Sequence, residues 1–447
     1  MDFLNTISYF LIEIICLLAI AAVSLCLNKP RRWADFITVG ALSVNSLILA
    51  AGFLKTDFES MFYNKLFAFG LSELLMTFLI NIFMLSFILV TYKIIRKAAF
   101  KTPLLNLILL AMVFLSSLLI KSQNFILTYF LLSLCSYLIY FYVSNYKLEK
   151  GTIYNFGFFV VSTLADFLFI SFLTMTVLAQ DVIQMDIIQV CITLSFFLKI
   201  GIFPIYNYSL NGNYRVNVPY SVLIYSFLPF LGVVSFNKLS EIIAPNTNEI
   251  YQITLVVFLL ITGFIYAINS YKAKDLVKFI SNSSAVLYTI ALISVLILST
   301  NFEGIKLAAA ALIGSLGLYS LVCVLKSNLK VYKINISMLR NIFFNNRFFA
   351  FCFSSLLLIF CGVVPSSISK NLVDIFSKIY IFDKTGVYIV FITVGFLVLI
   401  LFNSLRIIEK CYEFNRNTMP KRMTKRTPLN YAVLFEIIIF LILGMFL

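Results

Sequence analysis

The chain contains no histidine, one tryptophan, and only 19 acidic residues among 447. Without histidine it lacks the commonest metal ligand and the usual proton carrier near neutral pH. Any proton chemistry must therefore use Lys, Asp, Glu, Tyr and water, and a Ser-His-Asp triad is excluded. No Gly-rich phosphate loop or zinc motif occurs. Nothing in the sequence is recognisable as a site for a nucleotide, flavin, iron–sulfur cluster or metal. The eight cysteines form no CxxC pair, and most lie inside apolar runs. They read as small buried hydrophobes rather than a disulfide framework. A long polar stretch is also missing, so no separate soluble domain is expected. The longest polar segment, 403–428, reads as a basic anchor beside anionic lipid.

What the chain has in abundance is apolar residues, at 62% hydrophobic against 12% charged. A soluble domain of this length would expose more apolar surface than water tolerates. The expected fold is an all-α polytopic membrane protein. Apolar runs place fourteen spans at about 4–27, 36–54, 66–92, 104–120, 125–144, 153–179, 187–208, 218–236, 250–271, 276–299, 307–326, 347–364 with a half-helix to 382, 386–403 and 430–447. The first carries Asp2 and Glu13 rather than a basic start, so it reads as a retained span and not a signal peptide. The net charge of +15 points to topology rather than to nucleic acid. Lysines and arginines favour the loops after odd-numbered spans by about three to one. The loops after even-numbered spans hold only Lys55, Lys65, Lys121, Lys238, Lys306, Lys370, Lys378 and Lys384. This bias puts both termini on the non-cytoplasmic side of a bacterial inner membrane, or of the mitochondrial inner membrane. Heavy use of Phe, Ile, Asn, Lys and Tyr hints at an A/T-rich genome.

Two stretches stand out. Ser195–Pro219 carries Lys199 in an apolar run that Pro204 then interrupts. A lysine in hydrocarbon costs about 3 kcal/mol and usually faces a polar interior. The proline frees backbone carbonyls at membrane depth, and these need partners. Phe360–Ile381 repeats the combination with Pro365, Lys370 and Asp374. The second break follows the first by five spans, an odd number. Spans 4–8 and 9–13 are therefore expected to form two inverted five-helix repeats with two broken helices. The corresponding domains are 1–103, 104–240, 250–415, and 416–447 for the basic loop and last helix. Further charges within or at the ends of spans are Glu13, Glu73, Asp166, Glu436, Asp275 and Lys278. Glu13 and Glu436, on terminal spans, read as structural. The proton-relay candidates are Lys199, Lys370, Glu73, Asp166, Asp275, Lys278 and Asp374, since buried carboxylates and lysines are possible proton carriers. Glu73 is expected deep in the third span. Asp374 follows Lys370 by one helical turn, so the two can share a face.

These segments resemble the antiporter-like membrane subunits of respiratory complex I and of Mrp-type cation/proton antiporters. The likeness covers about 120–415. Lys199 in F-L-K-I-G-I-F-P-I-Y matches the family's K-x-x-x-x-P-F-H, with Tyr206 at the histidine. Val218–Val233 resembles T-P-V-S-A-L-I-H-S, with Tyr225 at the histidine. Lys274–Ser284 resembles N-D-L-K-K-L-I-A-Y-S-S, and Val364–Asp374 places Lys370 at the lysine of the second broken helix. The family's first-half glutamate has no counterpart in Thr128–Tyr137, its eighth-span lysine or histidine none in Tyr225–Pro229, and its second-half H-x-x-x-H-A-x-x-K none in Ile313–Ser320. The resemblance implies a membrane-arm subunit of a proton-translocating NADH–quinone oxidoreductase, partnered by other membrane subunits and lipid. NADH and quinone would be used by the parent complex, with no cofactor bound by this chain. The alternatives are a Mrp-type Na+/H+ antiporter subunit, and a structural paralogue in such a complex that moves no ions.

Overall fold

The computed structural model describes residues 10–27, 31–53, 62–63, 66–98, 102–144, 152–178, 182–201, 221–243, 249–298, 302–329, 334–340, 346–382 and 384–413. These form fourteen helices: α1 Leu11–Leu25, α2 Arg31–Phe53, α3 Leu71–Ala98, α4 Thr102–Lys121, α5 Phe125–Ser144, α6 Thr152–Leu178, α7 Val182–Lys199, α8 Leu228–Ile243, α9 Glu249–Tyr271, α10 Leu276–Leu298, α11 Glu303–Leu329, α12 Arg347–Phe360, α13 Ser367–Phe382 and α14 Lys384–Tyr412. A π turn, Leu223–Phe227, leads directly into α8, and a 3₁₀ turn spans Ile336–Leu339. Among the described residues, ten helices are long and apolar enough to cross a membrane. The chain is an all-α polytopic membrane protein. The expected span at 430–447 and Glu436, Pro204 and Tyr206 lie outside the described residues.

The chain divides within α6 into two compact units, Met1–Thr163 and Leu164–Leu447. In the first unit, α1, α4 and α5 form the centre, with α2 and α3 against them. A two-residue antiparallel pairing joins Phe62–Tyr63 to Ala68–Phe69, and Phe67 bridges to Ser122 just past the end of α4. Here the structure moves one expectation. Helix α3 starts at Leu71 and not at 66, so Glu73 lies in its first turn. Its carboxylate accepts from the Gly70 N–H at 2.9 Å and the Ser72 hydroxyl at 2.8 Å. A glutamate three residues past an N-cap glycine folds back on the helix start in this way, satisfying a donor the helix leaves open.

In the second unit α11 and α10 are the core. The membrane-length window of α11 is 100% buried and that of α10 is 89% buried, against 22% for α14. Alternation of small and large side chains permits this. Ala308, Ala309, Ala310 and Ala311 let neighbours approach α11, and Leu287, Ile290, Leu292 and Ile293 fill the space around α10. Asp275 caps α10, its Oδ1 accepting from the Val277 N–H at 2.8 Å, as N-cap aspartates do. The same residue forms a bridge with Asn335. The 334–340 segment is thereby strapped to the start of α10 by backbone bonds from Leu276 to Ile334 and from Ile336 to Lys274.

Candidate functional site

Two helices of the second unit stop inside apolar sequence. Helix α7 ends at Lys199 and α12 at Phe360. At 1.5 Å per residue, the 14 residues of α12 reach about 21 Å, short of a hydrocarbon core of about 30 Å. Each helix is closed by a glycine in the left-handed region, Gly201 at φ 80° and Gly362 at φ 73°, where a side chain is strained. At the second break the Gly362 N–H donates to Ile359 and the Val363 N–H to Leu358, at 2.9 and 3.1 Å. At the first, the Gly201 N–H donates to Leu198 at 3.2 Å, and the Gly201 carbonyl accepts from the Tyr266 hydroxyl of α9 at 2.6 Å. A carbonyl freed at membrane depth thus has its partner. In both stretches proline follows glycine by three residues, G-I-F-P and G-V-V-P.

The first break carries a buried ion pair. The Lys199 side chain is fully enclosed, and its Nζ donates to both carboxylate oxygens of Asp166, at 2.8 and 2.7 Å. Asp166 comes from the second-unit half of α6 and keeps 17% of its side chain exposed. Two hydrogen bonds to one carboxylate offset the desolvation of an ammonium that could not otherwise stay buried. The pair has an inner cationic end and an outer, partly open anionic end. Such an arrangement can hold, take up or release a proton.

The remaining sequence candidates are dispersed. Lys370 is exposed on α13, with Asp374 half-buried one turn on. Asp275 is buried as the cap of α10, and Lys278 is half-buried in the first turn of that helix. Glu73 belongs to the first unit and is engaged at the start of α3. Pro365 lies exposed in the bend between α12 and α13.

Further ion pairs among the described residues were not foreseen. In the first unit Lys121, 1% exposed, binds Glu13 of α1 at 2.8 and 2.9 Å. In the second unit Lys378 of α13 binds Glu303 at the start of α11 at 2.6 Å. Each partner is far along the chain, and both lysines read in sequence as ordinary loop charges. The one available signal for the first pair was Glu13 itself, a carboxylate inside an apolar run that needs a cation.

No family model matches the chain, and no curated protein matches it. Solved structures do. A chain of respiratory complex I from Thermus thermophilus with bound aureothin superposes with a TM-score of 0.79 at 12% identity, covering 97% of this chain and 97% of that one. A chain of the same organism's complex I with bound NADH gives 0.76 at 16% identity, covering 97% and 95%. At these identities the shared property is the fold, and it is shared from end to end.

Proposed function

We propose that this chain is a membrane-arm subunit of a proton-translocating NADH–quinone oxidoreductase, and that it takes part in proton translocation driven by redox chemistry in other subunits. The observation that carries the reading is the Lys199–Asp166 pair at a helix break. A fold shared along the whole chain with respiratory complex I chains supports it. A buried pair of this kind is costly to build and is kept in membranes chiefly for ion or proton work. Asp166, the more open partner, meets an incoming proton first. Protonation of its carboxylate removes the charge that holds the Lys199 ammonium, which then favours loss of the lysine proton toward the interior. NADH and quinone act in partner subunits.

A second reading is a subunit that holds such a complex together without moving protons. It draws on the second break, where Phe360 stands two residues before the glycine and Lys370 is exposed. Purification of the tagged chain in mild detergent, with mass spectrometry of its partners, tests membership. Quinone-module and hydrogenase-like subunits are expected. Small subunits of a cation/proton antiporter would move the chain to that class, and a monomer without partners would overturn the proposal. Lys199→Met then separates pumping from scaffolding: in an assembled complex it is expected to abolish redox-driven proton uptake. Unimpaired pumping would leave the scaffolding reading.

A further inference from the structure

The end of α7 is lightly held by its own backbone. Its last two bonds, from the Ile200 N–H to Phe196 and from the Gly201 N–H to Leu198, are long at 3.3 and 3.2 Å, against about 2.9–3.0 Å for most such bonds. The second break closes on three bonds of 2.9 to 3.1 Å. What fixes the first break comes from neighbouring helices. Tyr266 of α9, 5% exposed, donates to the Gly201 carbonyl at 2.6 Å. Ile200 is buried against Gly232 of α8, where an added Cβ would meet its Cδ1 at 2.9 Å. The two residues that follow Lys199 are thus each gripped from outside. A lysine side chain is costly to immobilise, so a double contact with one carboxylate needs a fixed backbone beneath it.

Tyr266 belongs to a wider set of contacts. Ser270 lies one turn further along α9, and its carbonyl accepts from the Asn403 Nδ2 of α14 at 2.6 Å. The same amide reaches the Ala273 carbonyl, just past the end of α9, at 3.4 Å. On the other side of Tyr266, Gly263 lets the Phe396 ring of α14 approach the α9 backbone, since a Cβ there would meet it at 2.7 Å. Asn403 is followed by Ser404, whose hydroxyl donates to the Ile400 carbonyl at 3.0 Å. The Ser404 oxygen, 2.9 Å from the Cys361 sulfur, then accepts the thiol proton. Cys361 precedes the left-handed Gly362. Asn403, Ser404 and Cys361 are at most 4% exposed. From Gly201 to Gly362 every join is thus a hydrogen bond of 2.6 to 2.9 Å or a step along the chain.

We propose that Tyr266 is a positioning residue for Lys199, and that Asn403, Ser404 and Cys361 carry its hold to the second break, so that the two breaks move together. The role assigned to Lys199 rests on the translocation reading above. The phenol fixes the Gly201 carbonyl, and this sets the direction in which α7 delivers its last side chain. A shift of that carbonyl swings the ammonium off one oxygen of Asp166 and leaves a single hydrogen bond. The joins transmit such a shift because hydrogen bonds weaken steeply when bent, so the partners follow one another. A displacement of Cys361 therefore reaches Lys199 through α14 and α9, which are packed elements and not loops. The second break thereby acts on proton transfer at the first without a charge at its own helix end.

The test uses the full chain, in its complex and alone. In the complex, reconstituted in lipid vesicles with an internal pH dye, proton uptake per NADH oxidised is measured. With the chain alone, carrying isotope-labelled aspartate, infrared spectroscopy reads the Asp166 carboxylate bands, and the Lys199→Met/Asp166→Leu double variant identifies them. Tyr266→Phe keeps the ring and loses the hydroxyl. It is expected to shift those bands and to lower uptake by up to about a hundredfold, as a small misplacement can. Asn403→Leu and Cys361→Ala should do the same more weakly, while Cys361→Ser keeps a donor and should match the parent in both. Thr262→Val is the control, since the Thr262 hydroxyl donates to Phe258 of its own helix at 2.8 Å. It should lower the unfolding temperature and leave bands and uptake unchanged. Parent-like bands or parent-like uptake in Tyr266→Phe would overturn the positioning role, as would equal band shifts in Thr262→Val. Parent-like bands in either Asn403→Leu or Cys361→Ala would overturn the link between the breaks. Absence of redox partners would overturn the translocation reading and leave the infrared measurement to decide the positioning and the link.

Discussion

At the first break of the second unit the residue two before the left-handed glycine is Lys199, and at the second it is Phe360. The backbones match: a helix end, a glycine at φ 80° or 73°, and a proline three residues on. The side chains do not. Lys199 draws Asp166 into a double hydrogen bond, while Phe360 packs toward α11, where a Cβ on Gly314 would meet its ring at 3.0 Å. The same interruption can therefore present a charge or seal an apolar interior, and one residue decides which. The second break also restarts a helix tidily. Ser366 and Ser369 exchange bonds, the Ser366 N–H donating to the Ser369 hydroxyl at 2.8 Å and the Ser369 N–H to the Ser366 hydroxyl at 3.4 Å. This reciprocal cap begins α13.

The largest effect is expected when the second break is given the first one's residue. Phe360→Lys loses a buried ring and adds a buried cation, costing about 3–5 kcal/mol or more. The measurement is the unfolding temperature in detergent, followed by a thiol-reactive dye. Seven of the eight cysteines are buried, so labelling reports opening. An unchanged midpoint would mean that the second break already has a place for a charge. Next come Lys199→Met and Asp166→Leu. Each alone strands a charge and should cost about 3–5 kcal/mol, whereas the double variant should return to within about 1 kcal/mol of the parent in stability. Additive losses would show that the two residues are not an energetic pair. Smaller effects follow from the shared glycines. Gly201→Ala and Gly362→Ala should each cost about 1–2 kcal/mol for a left-handed residue with a side chain. Gly362→Ala should be the worse, since its Cβ would meet Leu372 at 2.8 Å.

The smallest effect lies away from both breaks. Glu413, just past α14, accepts from Lys410 at 2.5 Å and pairs with Arg340 at 3.3 Å. The Lys410 hydrogen bond, with Arg340 nearby, holds its carboxyl below the ordinary 4.5. Its stabilising contribution is therefore present at neutral pH and lost as pH falls below 4.5 through the lowered value. Glu413→Gln should flatten the acid limb of the unfolding temperature slightly. If the limb is unchanged, the cluster contributes nothing to stability.

Much of this architecture was readable from composition and punctuation. Apolar runs and prolines located the helices, and Lys199 marked the first break, because burying a lysine is costly enough to be conspicuous. Partnerships were not readable. Asp166 lies 33 residues from Lys199, and the family pattern directs attention to a glutamate in 128–137. The carboxylate comes instead from α6. Lys121 and Glu13 are separated by 108 residues, and no local pattern joins them. Glu73 was placed too deep because the aromatic residues before Gly70 blend into the helix that follows. The buried hydroxyls that hold the π turn Leu223–Phe227 had a signal that went unused. Ser281, Ser284 and Tyr288 fall at helical spacing on α10, as do Ser315 and Tyr319 on α11. Serine and tyrosine are too common in membrane helices to draw notice singly. The matched Gly-x-x-Pro spacing of the two breaks was equally visible, but it gained meaning only when both glycines proved left-handed.

The way α7 ends has a consequence of its own. The unsatisfied carbonyls at a helix C-terminus amount to about half a negative charge, and Lys199 is the last residue of α7. Lys199 therefore belongs to a helix end that carries a fixed fractional anion, while its ammonium is bound by the carboxylate of Asp166. Protonation of Asp166 removes the titratable share of the counter-charge and leaves the helix end in place. Under the proposed translocation, the helix end is the part of the counter-charge that stays when the carboxylate is protonated. Phe360, at the equivalent helix end, gives that half-charge nothing to hold.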